Sequence, residues 1–199
     1  MDRPVQVRTA AYVTITGILF WVATVVFLSM LNADTYNSVK QPGSELALGR
    51  FGTLMDIAFF ALGIGIAALA FGLYRAVPHT FVIPLLLGAA GALIFFSGIF
   101  HTEIGSGTKP SIHNTLGLLA FVLSIVVMFT ASRRFRRDGR WRPFARPTLF
   151  WAIAALGTLF LVPLLGDERL GIAQRIFVTV LLSWFFATAL QLQRVLSKP

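Results

Sequence analysis

The chain has 199 residues, of which 56% are apolar and 13% charged, with a mean hydropathy of +0.78. A soluble domain carries about 25% charged residues, so this composition excludes an ordinary water-soluble fold and points to an integral membrane protein. The absence of cysteine excludes disulfide scaffolds, thiolate catalysis, thiolate zinc sites and iron–sulfur clusters, and seventeen Lys and Arg against eight Asp and Glu, a net charge of +9, are read first as a topology signal.

A charge at the bilayer centre costs roughly 2.5–3.5 kcal/mol, so runs free of Asp, Glu, Lys and Arg mark the spans. Between Arg8 and Asp34 lie 25 such residues, between Asp56 and Arg75 18, and between Arg75 and Glu103 27. Lys109 to Arg133 encloses 23, Arg146 to Asp167 20, and Arg175 to Arg194 18. A hydrocarbon core of about 30 Å needs roughly 20 helical residues. The sequence therefore predicts an all-α polytopic membrane protein, a compact bundle of six transmembrane helices near 10–31, 53–75, 81–101, 113–132, 148–166 and 171–194. With no linker, low-complexity stretch or internal repeat, residues 1–199 form a single domain, and an inverted-repeat transporter is not supported. The first run is too long for the apolar core of a signal peptide and is expected to remain as a helix.

Twelve basic residues (Arg3, Arg8, Arg75, the seven arginines of 133–146, Arg194 and Lys198) fall on the side of the termini. Lys40, Arg50, Lys109 and Arg169 fall on the other. This bias predicts a cell inner (plasma) membrane protein with both termini cytoplasmic. The loop RRFRRDGRWRPFAR interleaves Phe135, Trp141 and Phe144 with arginines. A short loop between two spans is read as an anchor on anionic lipids at Arg133–Arg146, not as a nucleic-acid site.

Small residues four apart, Gly63 with Ala67 and Gly88 with Ala92, mark the second and third spans as the central pair. The first, fifth and sixth, richer in Phe, Leu, Val and Trp, are expected to face lipid.

Polar groups collect at the non-cytoplasmic ends: Asp56, His101, Glu103, His113, Gln174 and Arg175, joined by Ser44, Glu45 and Arg50 from the first loop. Asp56 and Arg175 lie about one turn inside their spans from the same side, where each is costly alone, so an Asp56–Arg175 pair is expected. That pair either fixes helix register or holds a ligand. His101, Glu103 and His113 have the residue types of zinc ligands, but their spacing across a Gly-rich loop fits no helix-borne metal motif, and interfacial histidines at helix ends are the simpler reading. A bis-histidine haem is disfavoured because both histidines belong to one short connection. The segment GSGTKP lacks the ending of a phosphate loop, no G-x-S-x-G elbow is present, and no intramembrane Lys or buried acidic relay exists for a retinal or a proton pump.

The segments GSELALGRFGTLMDIAF (43–59), GIFHTEIGSGTKPSIHNTLGLLAF (98–121), RRFRRDGRWRPFAR (133–146) and GIAQRIFVTVLLSWFFATALQLQR (171–194), in this order and spacing, resemble the family catalogued as domain of unknown function 998, small prokaryotic six-helix membrane proteins. The likeness spans roughly residues 10–195 and rests on Ser44-Glu45 with Leu48-Gly49, Glu103 with His113 and Gly117, and Gln174-Arg175 with Trp184. It departs at Glu45 and Glu103, where the resemblance implies Asp, and at His101, where it implies Pro. It implies an architecture and a set of polar positions, and no reaction.

Two functions follow as expectations. One is a site at the extracytoplasmic face that binds or processes a lipid headgroup or small amphiphile. Its ligand-binding groups would be Arg175, Gln174, Asp56, Glu45 and Ser44, and its candidate catalytic groups His113, Glu103 and Asp56. The other is a non-enzymatic accessory subunit or membrane-stress protein acting through helix–helix contacts with a protein partner or a second copy. Cofactors, and whether a reaction is catalysed, stay open at this level.

Overall fold

The computed structural model describes residues 2–102 and 111–196. Among them the chain is all-helical: α1 (Arg3–Leu31), a 3₁₀ segment (Gly43–Leu48), α2 (Thr53–Ala76), α3 (Val82–Ser97), α4 (Ile112–Phe135), α5 (Arg142–Leu159), α6 (Leu161–Leu165), a 3₁₀ turn (Asp167–Arg169) and α7 (Leu170–Leu196). Five helical stretches are long and apolar enough to cross a membrane, α5 and α6 counting together as Arg142–Leu165, and α3 is a shorter apolar helix. The protein is thus a helical membrane protein of several passes.

Local chemistry sets the ends. α1 and α5 begin with a proline in the first turn, where the missing N–H is not needed. They start several residues before the charge-free runs, at Arg3 and Arg142, because arginines near a helix end carry their heads to water and need not lie outside the helix. Asn32 closes α1: its Nδ2 donates to the Leu28 carbonyl (2.9 Å) and its Oδ1 accepts from the Arg50 backbone N–H (2.7 Å). Ser111 caps α4 by accepting from Asn114 N–H at 3.1 Å. Positive φ falls on Phe51 (58°) and His79 (48°), one in each of the turns that flank α2.

Close backbone approach brings α1, α2 and α3 together. A Cβ at Gly17 would meet the Ala61 carbonyl oxygen at 2.5 Å, and one at Gly63 would meet that of Gly91 at 2.7 Å. Thr14 bridges α1 to α2, donating its hydroxyl to the carbonyls of Ala10 and Gly65. Gly91, not Gly88, meets Gly63; Gly88 has only an ordinary 3.9 Å neighbour in Ala70. The pairing of the second and third spans stands, but among the described residues α3 packs mainly against α2 and α4, whereas α2 and α7 each pack against several helices. The sixth apolar run is therefore not a lipid-facing helix. In the most apolar stretch of α7 44% of residues are buried, against 17% in that of α5–α6. Phe177, Trp184 and Leu192 of α7 are fully buried, while Tyr12, Leu19, Phe150 and Leu164 face outward as a bilayer-facing surface requires.

The helix ends sort into two faces. The basic end holds the start of α1, the α2–α3 turn, the α4–α5 turn and the end of α7. The opposite end holds the 3₁₀ segment, the first turns of α2, α4 and α7, and the last turn of α3.

Candidate functional site

Most of the polar residues singled out in the sequence do meet at that opposite end, but in a different arrangement. Arg175, in the second turn of α7, points back at the loop after α1. Its Nη1 donates to the carbonyls of Ser38 (2.6 Å), Gln41 (3.0 Å) and Gly171 (3.0 Å), its Nη2 donates to the Tyr36 hydroxyl, and its guanidinium carbon lies 5.6 Å from the Tyr36 ring centre. Gly171 permits this, since a Cβ there would meet the Gln41 and Ser38 carbonyl oxygens at 2.4 and 2.5 Å. The Tyr36 hydroxyl lies at hydrogen-bond distance from the carbonyls of Gln41 and Pro42, and burial pushes its pKa up although Arg175 pulls it down.

Asp56 does not pair with Arg175. Its Oδ1 lies 3.1 Å from Nε2 of His101, in the segment after α3, without the alignment of a hydrogen bond. The expectation failed because depth along two helices says nothing of the direction each side chain faces, and because loop carbonyls satisfy a guanidinium as well as a carboxylate does. Glu45 is buried and accepts from Gln41 Nε2 at 2.7 Å. Glu103 lies outside the described residues. Among the described residues no three His, Cys, Asp or Glu are grouped to hold a metal ion, and His101 and His113 take different partners.

Three of the expected residues share a cavity. A space of about 260 Å³ is lined by Ser44, His113, Asn114 and Gln174 and walled by apolar side chains including Phe59, Leu62, Ile94, Phe121 and Phe177. Gln174 is fixed by accepting the Gly43 backbone N–H (2.9 Å), which ties the 3₁₀ segment to α7. His113 is buried, edge-on to Phe59, with Nδ1 at 3.1 Å from the Ser97 carbonyl and 2.8 Å from that of Phe100. Two carbonyl neighbours require a proton on Nδ1, so the neutral ring carries its lone pair on Nε2. Across the cavity α4 and α7 touch through Phe121 and Phe177, ring centres 4.8 Å apart.

A second space of about 390 Å³ runs between α1 and α7, lined by Val22, Val26, Met30, Arg175, Thr179 and Leu182 among others. Trp21, Gly43, Gln174 and Val178 line both spaces and form the partition between them. Trp21 was not among the expected site residues, since nothing distinguishes it in sequence from a lipid-facing aromatic. Asp56 and Glu45 line neither space.

No curated protein and no solved structure matches the chain. Residues 14–191 match the family described as Protein of unknown function (DUF998), a stretch that contains every cavity-lining residue named above. The chain belongs to that family, DUF998.

Proposed function

We propose that this protein binds an amphiphile, a lipid or a small molecule of that character, with its polar end in the inner cavity and its apolar chain in the groove between α1 and α7. The chain is read as one six-span domain of the cell inner membrane, α3 serving as the sixth span. Its sixteen residues rise about 24 Å, short of the hydrocarbon thickness, and local thinning or snorkelling accommodates a mismatch of this size. An even number of spans puts both termini on one side, and the positive-inside bias makes that side the cytoplasm. The cavity then opens at the extracytoplasmic end, and Arg133–Arg146 lies on anionic lipid of the inner leaflet.

One observation carries this reading: a cavity with apolar walls and a few polar groups at one end adjoins a lateral groove between α1 and α7. Arg175 serves it indirectly, by holding down the loop that roofs the site. Of the two described groups considered as acid or base, His113 and Asp56, His113 lines the cavity and Asp56 does not.

Gly117 offers the test. It lines the cavity, and a Cβ there meets nothing within 4 Å. Gly117→Leu therefore starts from an unobstructed Cβ, extends into the space and removes a helix-interior glycine, which stabilises by roughly 0.5–1 kcal/mol. Mass spectrometry of the purified protein is expected to find bound lipid or amphiphile on the wild type and little on G117L, whose unfolding temperature is no lower. Equal amounts on both would overturn the reading.

A further inference from the structure

We propose that the ligand of the inner cavity is an uncharged lipid with a free hydroxyl, of the diacylglycerol kind, and not a phospholipid; this rests on the amphiphile-binding reading above. Among the described residues, no Asp, Glu, Lys or Arg lines the cavity. Arg175, the cation of the adjoining groove, has its Nη1 and Nη2 engaged by the Ser38, Gln41 and Gly171 carbonyls and the Tyr36 hydroxyl. A phosphate placed among Phe59, Leu62 and Phe177 would lose its hydration and meet no counter-charge among the described residues, which is the costly case of burial.

The polar groups present fit a hydroxyl. His113 gives its Nδ1 proton to the Ser97 and Phe100 carbonyls, so Nε2 of the neutral ring offers a lone pair and asks for a donor. Ser44 is more than nine-tenths buried, lines the same cavity, and its hydroxyl makes no hydrogen bond among the described residues. The Trp21 indole N–H, on the partition, is buried and likewise has no hydrogen-bond partner among the described residues. His113 Nε2 thus offers an acceptor, and the Ser44 hydroxyl and Trp21 indole N–H offer donors. A lipid hydroxyl donates to His113 Nε2 and accepts from Ser44, and an ester carbonyl of the same lipid accepts from Trp21. Any phosphate brings at least one negative charge into this site, and a phosphodiester group, having only acceptors, would also leave Nε2 without a donor.

The test uses the full chain in phosphatidylcholine nanodiscs carrying photoactivatable diacylglycerol, or phosphatidic acid with the same acyl chains, with labelled peptides mapped. Photoactivatable phosphatidylcholine sets the level of annular labelling. Diacylglycerol is expected to mark the peptides around Trp21 and residues 112–121 several-fold above phosphatidic acid. Ser44→Ala and His113→Asn are each expected to lower that labelling about three- to tenfold, the effect of one hydrogen bond. Asn at 113 keeps an N–H near the position of Nδ1 for the Ser97 and Phe100 carbonyls and removes only the cavity acceptor; if it fails to fold, S44A gives the reading alone. Phosphatidic acid labelling these peptides as strongly as diacylglycerol would overturn the neutral-lipid assignment and leave the amphiphile site standing. Labelling by both at the annular level would overturn the two together, and wild-type labelling of the variants would overturn the assigned hydrogen bonds.

Discussion

At the basic end three arginines are spent on backbone carbonyls at and just beyond the close of α2: Arg3 donates to Arg75 (2.7 Å), Arg140 to Ala76 (3.4 Å) and Arg134 to Pro78. Beneath them Trp141 stacks on Phe135 with ring centres 4.6 Å apart, and both are fully buried. At the opposite end one arginine, Arg175, holds an irregular loop, and the space below it stays open with Ser44, His113 and Trp21 facing it or bordering it. The basic end therefore closes helix ends, satisfying orphan carbonyls with charge over stacked aromatic rings, while at the other end polar groups border an apolar-walled cavity. The basic end has a space of its own, about 590 Å³ beside Arg3, Tyr74 and the α2–α3 turn, but among the described residues no buried aromatic wall like that of the inner cavity surrounds it.

The largest effect that would sharpen this contrast is at Trp141. Its indole N–H has no hydrogen-bond partner among the described residues, so apolar packing is what holds it. Trp141→Ala is expected to cost about 3–5 kcal/mol, read as loss of thermal stability in mild detergent. Trp21→Ala, beside an existing cavity, should cost less than half as much. Equal losses would mean that the two ends are packed alike and would break the comparison.

Next in size is the clasp at Arg175. Hydrogen bonds from a charged donor contribute about 1.5–3 kcal/mol, so Arg175→Ala should lower stability by about 2–3 kcal/mol and expose residues 32–52 to limited proteolysis. Arg175→Lys should recover little, since one ammonium cannot reach the Ser38, Gln41 and Gly171 carbonyls and the Tyr36 hydroxyl together. Full recovery by lysine would show that charge, not the planar fork, is what the loop needs.

The same clasp gives a pH dependence. Burial raises the Tyr36 pKa above its ordinary value of 10.0 in the folded chain. A group whose folded pKa is raised contributes stability that is fully present below the unfolded value and lost as pH rises through the folded one. Wild-type stability should therefore fall faster than that of Tyr36→Phe above about pH 10, and the two curves should be parallel below it. Parallel curves throughout would place Tyr36 in contact with water.

The helices were largely legible because a charge-free run of bilayer length is costly to keep anywhere but across a membrane: the second, near 53–75, is observed as Thr53–Ala76. What the sequence could not show was which helix is inside. In a membrane the surface is as apolar as the core, so the Phe- and Leu-rich α7 carries the same composition whether it packs in the centre or faces lipid. The small-residue signal located the α2–α3 contact but missed by one turn on α3, since Gly88 and Gly91 lie on nearly the same helix face and only the crossing point selects between them. At the site, Ser44, His113 and Gln174 were legible as polar residues at one end. The Asp56–Arg175 pair was not, because the competing partners of Arg175 are backbone carbonyls in a loop, which no pattern of side chains reports.

The smallest expected effect tests whether charge itself organises the open end. Arg50 donates to Asp34 at 3.0 Å, but both side chains are more than half exposed, 64% and 53%. Such a pair gains little in water and gives up side-chain freedom, so Arg50→Ala should change stability by roughly 0–1 kcal/mol. The Arg50 backbone N–H, which holds Asn32 at the end of α1, is untouched by the substitution. A small loss, screened away by salt, would leave Arg175 as the charge that organises this end and would place the rest of the loop's hold in backbone groups. A loss comparable to that of Arg175→Ala would mean that the exposed pair, and not the clasp on α7, sets the position of the loop over the cavity.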